Sequence, residues 1–99
     1  MTTKWKETGR IVGQSKIGEG IYSMWIQTEE IAGHAVPGQF ISVYCKDGSR
    51  LLPRPVSICE IDKEMKQLRL VYRVAGKGTE EFAKMTAGDS LEILGPLGN

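Results

Sequence analysis

Apolar residues recur at every second position along much of this chain. Tyr22, Met24 and Ile26 alternate with Ser23, Trp25 and Gln27, and Phe40, Ser42 and Tyr44 alternate with Ile41, Val43 and Cys45. Leu68, Leu70, Tyr72 and Val74 face away from Arg69, Val71 and Arg73. Side chains on a strand point to opposite faces in turn, so each segment reads as a half-buried strand of a curved sheet. Residues 8–17, 54–62 and 90–94 supply weaker strands of similar length. Turn chemistry separates them at Gly18-Glu19-Gly20, Pro37-Gly38, Lys46-Asp47-Gly48-Ser49, Asp62-Lys63-Glu64 and Ala87-Gly88-Asp89. One segment departs from the pattern. After Gly76-Lys77-Gly78, the run Thr79-Glu80-Glu81-Phe82-Ala83-Lys84-Met85 opens on a residue of the N-cap type, with acids in its first turn and a lysine near its end. That order suits the helix dipole and predicts a short helix near residues 79–86, with Phe82 and Met85 on its buried side. Six short strands and one helix specify an all-β fold, a small antiparallel barrel closed to hide its edges.

Composition narrows the function classes. With 99 residues the chain is expected to form one domain, residues 1–99, burying ~65% of its unfolded surface. No apolar run approaches the length of a membrane span, and Met1 to Gly9 is too polar for a secretory leader, so a cytoplasmic protein is expected. A formal charge of +1 gives no general pull toward nucleic acid or anionic lipid. Trp5, Trp25 and the tyrosines could line an oligonucleotide-binding barrel, but the interleaved charges offer no basic stripe for a backbone to follow. Cys45 and Cys59 are too few for a four-thiolate metal site and read as half-buried strand thiols. His34 sits among Gly33, Ala35, Val36 and Pro37, in an expected exposed loop, and no nucleophile, base and acid set stands out.

Two segments carry possible binding chemistry. In Leu52-Pro53-Arg54-Pro55-Val56-Ser57-Ile58 the prolines confine the strand to an edge or rim, because proline cannot donate to a ladder. Alternation puts Arg54 and Ser57 on opposite faces, a cation and a hydroxyl at a barrel mouth where a phosphate and a polar ring edge could be read, or two ordinary surface residues. In Val71-Tyr72-Arg73-Val74-Ala75-Gly76-Lys77-Gly78-Thr79 a strand runs through glycines into a helix N-terminus. Free amides, the helix dipole, Arg73 and Lys77 favour an anion there, while Glu80 and Glu81 oppose one unless they point away. The same glycines equally suit a plain turn needing positive φ. The spacing is neither a dinucleotide fingerprint nor a P-loop.

Taken in order, Pro37-Gly38-Gln39-Phe40, Arg54-Pro55-Val56-Ser57, Tyr72-Arg73 with Gly76-Lys77-Gly78-Thr79, Gly88-Asp89 and Gly95-Pro96-Leu97-Gly98 resemble the ferredoxin-reductase-like flavoproteins. The resemblance runs from Gly9 to Asn99 and is strongest to the electron transfer subunits of NAD-dependent dihydroorotate dehydrogenases. It implies a Greek-key barrel that binds FAD. It also implies site residues: Arg54, Pro55, Val56 and Ser57 reaching the flavin and its phosphates, Val71, Tyr72 and Arg73 lining the cofactor, and Gly78 and Thr79 donating to the pyrophosphate. Val56 stands where the wider superfamily often has a flavin-stacking aromatic, which leaves that role to Tyr72 or to aliphatic packing. The family continues past Gly-Pro-Leu-Gly into a nicotinamide-binding domain and a cysteine cluster holding a 2Fe–2S centre, so the chain reads as truncated before them. In the full subunit NADH would reduce the flavin, and electrons would pass singly through the iron–sulfur centre to a catalytic dihydroorotate dehydrogenase subunit within a heterotetramer. Two alternatives stay open: the flavin domain of another ferredoxin:NAD(P) reductase or hydrogenase-type subunit, and a small barrel that binds nucleic acid or protein.

Overall fold

The computed structural model of the chain describes residues 3–47 and 50–98, including every side chain among them except those of 45–47, 50–52 and 77. The expected turn at residues 46–49 and the Cys45 thiol therefore lie wholly or partly outside the described residues. Six strands, β1 (Trp5–Gly18), β2 (Ile21–Gln27), β3 (Phe40–Asp47), β4 (Arg50–Asp62), β5 (Gln67–Arg73) and β6 (Ser90–Leu97), are joined by short turns and two helices, α1 (Ile31–His34) and α2 (Lys77–Lys84). They close into a barrel in the order β1-β2-β5-β4-β3-β6, with every neighbouring pair antiparallel. The β2-to-β3 and β5-to-β6 connections pass over intervening strands, which is the Greek-key arrangement. This is the all-β barrel that the alternation implied.

The period-two pattern explains the core. Along β5 the buried residues are Leu68, Leu70 and Tyr72, while Arg69, Val71 and Arg73 turn outward. Ile41 and Val43 of β3, Met24 and Ile26 of β2 and Leu91 and Ile93 of β6 meet them inside. Burying each such side chain contributes about 1.5–3 kcal/mol, so the interior of the barrel is the main source of stability.

Several expectations need correction. The long helix is α2, starting and ending two residues before the expected 79–86. Its N-cap is Gly76, at φ 126° and ψ 176°, a region open essentially to glycine alone. Thr79 instead lies within the first turn, where its Oγ1 accepts from the Ala75 amide at 2.7 Å and donates to the Gly76 carbonyl at 3.1 Å. Phe82 is buried as expected, and Met85 caps the helix C-terminus while packing on the core. A second helix, the single turn α1, replaces the loop expected around His34. One turn is too short to leave a 3.6-residue pattern. It is held by Thr28, whose Oγ1 accepts from the Ala32 amide at 3.0 Å, and by the Glu7 carboxylate, which accepts from the Glu29 and Glu30 amides at 2.7 and 3.0 Å. His34 is exposed, with its ring 4.2 Å from that of Trp5. Cys59 is an exposed free thiol, not a half-buried one, because it shares the outward parity of Pro55 and Ser57 on β4.

Candidate functional site

Strand β4 begins at residue 50, four residues before its expected start, and it carries both prolines inside the strand. It pairs with β3 along this whole length, from Asp47↔Arg50 to Phe40↔Ser57. Toward β5, however, its last paired rung is Ile58↔Leu70. The reason lies in which edge each amide faces. The Ile58 N–H donates to the Gln39 carbonyl at 3.0 Å, on the β3 side. Successive amides face opposite edges, so those of residues 56 and 54 also point to β3, and positions 57, 55 and 53 face β5. Two of those three positions are proline, which has no N–H to offer. Pairing with β5 therefore ends at Ile58 and leaves an unpaired seam beyond it. Ser57 is left as the donor nearest the end of that ladder.

The register brings residues 54–57 and 71–73 to the two banks of this seam. On the β5 bank, the chain stays paired to β2 through Ser23↔Val71, Tyr22↔Tyr72 and Ile21↔Arg73, and the Val74 amide donates to Gly20 O at 2.8 Å. Three residues after β5 ends, α2 begins. Its first-turn amides, at residues 77–79, have no intrahelical acceptor, and no side chain caps them. Gly76 carries no atom that would shield them, and a Cβ built there would meet nothing within 4 Å. Such amides at a helix N-terminus attract an anion. Glu80 and Glu81 are both exposed along the helix flank.

Each expected site residue can be placed. Arg54 is half-buried and shares its face with buried Val56 and Ile58, while Pro55 and Ser57 lie exposed on the other face, so the arginine and serine do oppose one another. Arg73 is exposed and Val71 half-buried; Gly78 is buried and Thr79 half-buried. Among the described residues neither Arg54 nor Arg73 has an acidic partner, which leaves both cations available to a ligand. Val56 and Tyr72 are 6% and 7% exposed, so both side chains belong to the core. The Tyr72 ring stacks on Tyr22 at 5.8 Å and meets the Phe82 ring edge-on at 5.8 Å. Burial, reinforced by Tyr22, pushes its phenol well above the ordinary range.

A residue absent from the sequence reasoning joins these parts. Gln14 of β1 accepts from the Tyr72 hydroxyl through Oε1, and its Nε2 donates to the carbonyls of Phe82 and Met85 at 2.8 and 3.0 Å. Nothing local marks it, since in sequence it is one more polar residue on a half-exposed strand. Among the described residues no cluster of three or more His, Cys, Asp or Glu side chains could hold a metal ion, and no buried side-chain nitrogen or oxygen lacks a partner. The donors at the seam are the Arg54 and Arg73 guanidiniums, the Ser57 amide and hydroxyl, and the first-turn amides of α2, of which that of Gly78 belongs to a buried residue. That set suits a phosphate-bearing cofactor with a polar ring edge.

No family model matches the chain. The electron transfer subunit of dihydroorotate dehydrogenase B (NAD(+)) from Enterococcus faecalis strain OG1RF is 45% identical over 94 residues, which is 95% of this chain and 36% of that protein. The corresponding subunit from Listeria monocytogenes strain EGD-e is 39% identical over 89 residues, covering 90% of this chain and 35% of that protein. The chain is homologous to the dihydroorotate dehydrogenase B electron transfer subunits. It spans about a third of the length of these curated relatives. Among solved structures, the NADH-dependent reduced ferredoxin-NADP oxidoreductase of flavin-based electron bifurcation superposes with a TM-score of 0.85 at 30% identity, over 92% of this chain and 33% of that one. A flavohemoglobin from Malassezia yamatoensis, solved with bound FAD and heme, superposes at 0.76 with 24% identity, over 95% of this chain and 25% of that one, and shares the fold. The barrel is thus the ferredoxin-reductase type that the motif order implied.

Proposed function

We propose that the chain is the FAD-holding unit of an electron transfer subunit of NAD-dependent dihydroorotate dehydrogenase, working in the cytoplasm in pyrimidine biosynthesis. The observation that carries this reading is the β4–β5 seam, left unpaired beyond Ile58 where Pro55 and Pro53 stand and followed along the chain by the uncapped N-terminus of α2. In this reading Arg54 neutralises the cofactor pyrophosphate, and the amides of Gly78 and Thr79 donate to it. Pro55, Val56 and Ser57 form one bank and Val71, Tyr72 and Arg73 the other. Ser57 offers the seam an amide and, on its exposed face, a hydroxyl. With the side chains of Val56 and Tyr72 turned inward, the ring would lie against main chain and aliphatic surface instead of an aromatic face. Bound FAD would supply the redox chemistry, accepting electrons in pairs and releasing them singly; the chain supplies position and electrostatics.

The remaining parts of such a subunit, a nicotinamide site and a 2Fe–2S centre, are assigned in this proposal to the two-thirds of the relatives' length that these 99 residues do not span. The partner is then a catalytic dihydroorotate dehydrogenase subunit, in a heterotetramer, with NAD as the external electron carrier. A related reductase subunit is the second reading, favoured by the 30% identity to the ferredoxin-NADP oxidoreductase. The higher identity to the dehydrogenase subunits ranks it below the first. Titrating the folded protein with FAD while following flavin fluorescence tests the shared core of both readings. Saturable quenching is expected, and a titration with no change up to high micromolar FAD would exclude the flavin site.

A further inference from the structure

We propose that Gln14 is a positioning residue for the cofactor site: by joining the Tyr72 hydroxyl to the last carbonyls of α2, it sets where the first-turn amides of that helix stand. The inference rests on the reading of the seam as the FAD site and adds to it a control point on β1.

Helix α2 has few covalent restraints on its orientation. It is an eight-residue segment reached from β5 by three residues and left toward β6 by five. A helix of this size is ~12 Å long, so a tilt of ~10° about its C-terminal end carries the N-terminal amides by ~2 Å. That displacement exceeds the spread of good N–H···O distances, which is ~0.5 Å. Something must therefore hold the C-terminal end if the amides are to meet an anion reproducibly.

Gln14 is placed to do so. The last carbonyls of a helix lack intrahelical donors. The Phe82 carbonyl receives the Met85 amide at 3.1 Å and Gln14 Nε2 at 2.8 Å, and the Met85 carbonyl receives Gln14 Nε2 at 3.0 Å. Both hydrogens of the Gln14 amide are thereby used. Its Oε1 takes the Tyr72 hydroxyl, so the orientation of the amide is dictated at both ends, by two pure acceptors on one side and a protonated phenol on the other. The anchor itself does not move easily: Gln14 is paired with Met24 on β2, and Tyr72 is clamped between the rings of Tyr22 and Phe82. The chain of contacts therefore runs from β1 to β5 and to α2. It ties the main chain on the β5 bank of the seam and the helix at its end to one fixed point.

The experiment compares the parent chain with Gln14→Leu, which keeps bulk and removes every one of these hydrogen bonds. FAD affinity is read by fluorescence titration, and backbone hydrogen exchange is read on the chain without ligand. The expected result is a loss of about tenfold in FAD affinity, the size of one or two hydrogen bonds, together with faster exchange in α2 while β2 and β5 keep their protection. A purely structural role would instead speed exchange evenly over the barrel, and that result overturns the proposal. Equal FAD affinity in Q14L and parent overturns it too and leaves the FAD site standing. No FAD binding by the parent removes both the site and the inference. If Q14L does not fold, Gln14→Glu is read in the same way, since it retains the acceptor for Tyr72 and sets an anion against the two carbonyls. Failure of both variants to fold assigns Gln14 to the core and overturns the positioning role.

Discussion

Gly76 is where the strand-to-helix geometry is most exposed to test, through the substitution Gly76→Ala. At φ 126° and ψ 176° this residue occupies backbone space closed to ordinary L-residues, while a Cβ there would touch nothing within 4 Å. The penalty is therefore conformational and free of any packing clash, ~1–3 kcal/mol for holding such a backbone. Alanine also narrows the unfolded ensemble, which returns ~0.4–1 kcal/mol. The net destabilisation is about 1–2 kcal/mol, or a fall of roughly 5–15 °C in Tm for a domain of this size. Gly33→Ala is the matched control. Gly33 is exposed in α1, has no positive φ and has equally open surroundings, so that change should be neutral or stabilising by up to ~1 kcal/mol. Urea unfolding of parent, G76A and G33A, with m-values compared to confirm unchanged end states, reads the difference directly. If G76A proves as stable as G33A, residue 76 does not hold the left-handed geometry, and the argument for uncapped amides at residues 77–79 fails with it.

Three other outcomes follow from particular contacts. Arg54→Ala should weaken FAD binding by ~1.5–3 kcal/mol in a fluorescence titration, the worth of a charge-assisted contact, and an unchanged curve removes Arg54 from the site. Gly95→Ala should destabilise the barrel by ~1–3 kcal/mol in thermal unfolding, because the new Cβ would stand 2.8 Å from Ile41 Cγ2 inside a packed core. Tyr72→Phe should remove ~1 kcal/mol through the lost bond to Gln14, and it should also alter the alkaline limb of stability. The Tyr72 phenol is held above its unfolded value of 10.0, so the folded state binds the proton more tightly. Its contribution is complete below that pH and is lost as pH rises beyond it, and thermal unfolding measured across that range should fall less steeply in Y72F.

The sequence made the barrel legible because burial alternates strictly along β5 and nearly so along β2 and β3, and alternation is what a single chain displays without any partner in view. It made the binding segments legible in part. Prolines 53 and 55 signalled an edge, and the glycines before Thr79 signalled a helix start. What alternation could not convey is that both prolines face the same neighbour, β5, since that depends on the barrel closing in the order that sets β4 beside β5. Thr79 looked like a cap because its side chain can accept a hydrogen bond, yet Gly76 could make a turn that no other residue could, and the helix began earlier. The segment around Tyr72 resembles a cofactor-lining stretch, but what its ring touches, Tyr22 from β2 and Phe82 from α2, is visible only in the folded barrel. Gln14 was invisible for the same reason: its partners lie 58, 68 and 71 positions away, and only the folded barrel assembles them.

Mapping amide chemical-shift changes in the isotopically labelled chain as FAD is added tests the central claim most directly. The shifted amides are expected to gather at residues 54, 56–57, 71–73 and 76–79, with those of Trp5–Arg10 at the β1–β6 pairing essentially still. Shifts centred on that opposite wall, or none at all in a chain whose spectrum shows the folded barrel, would contradict it.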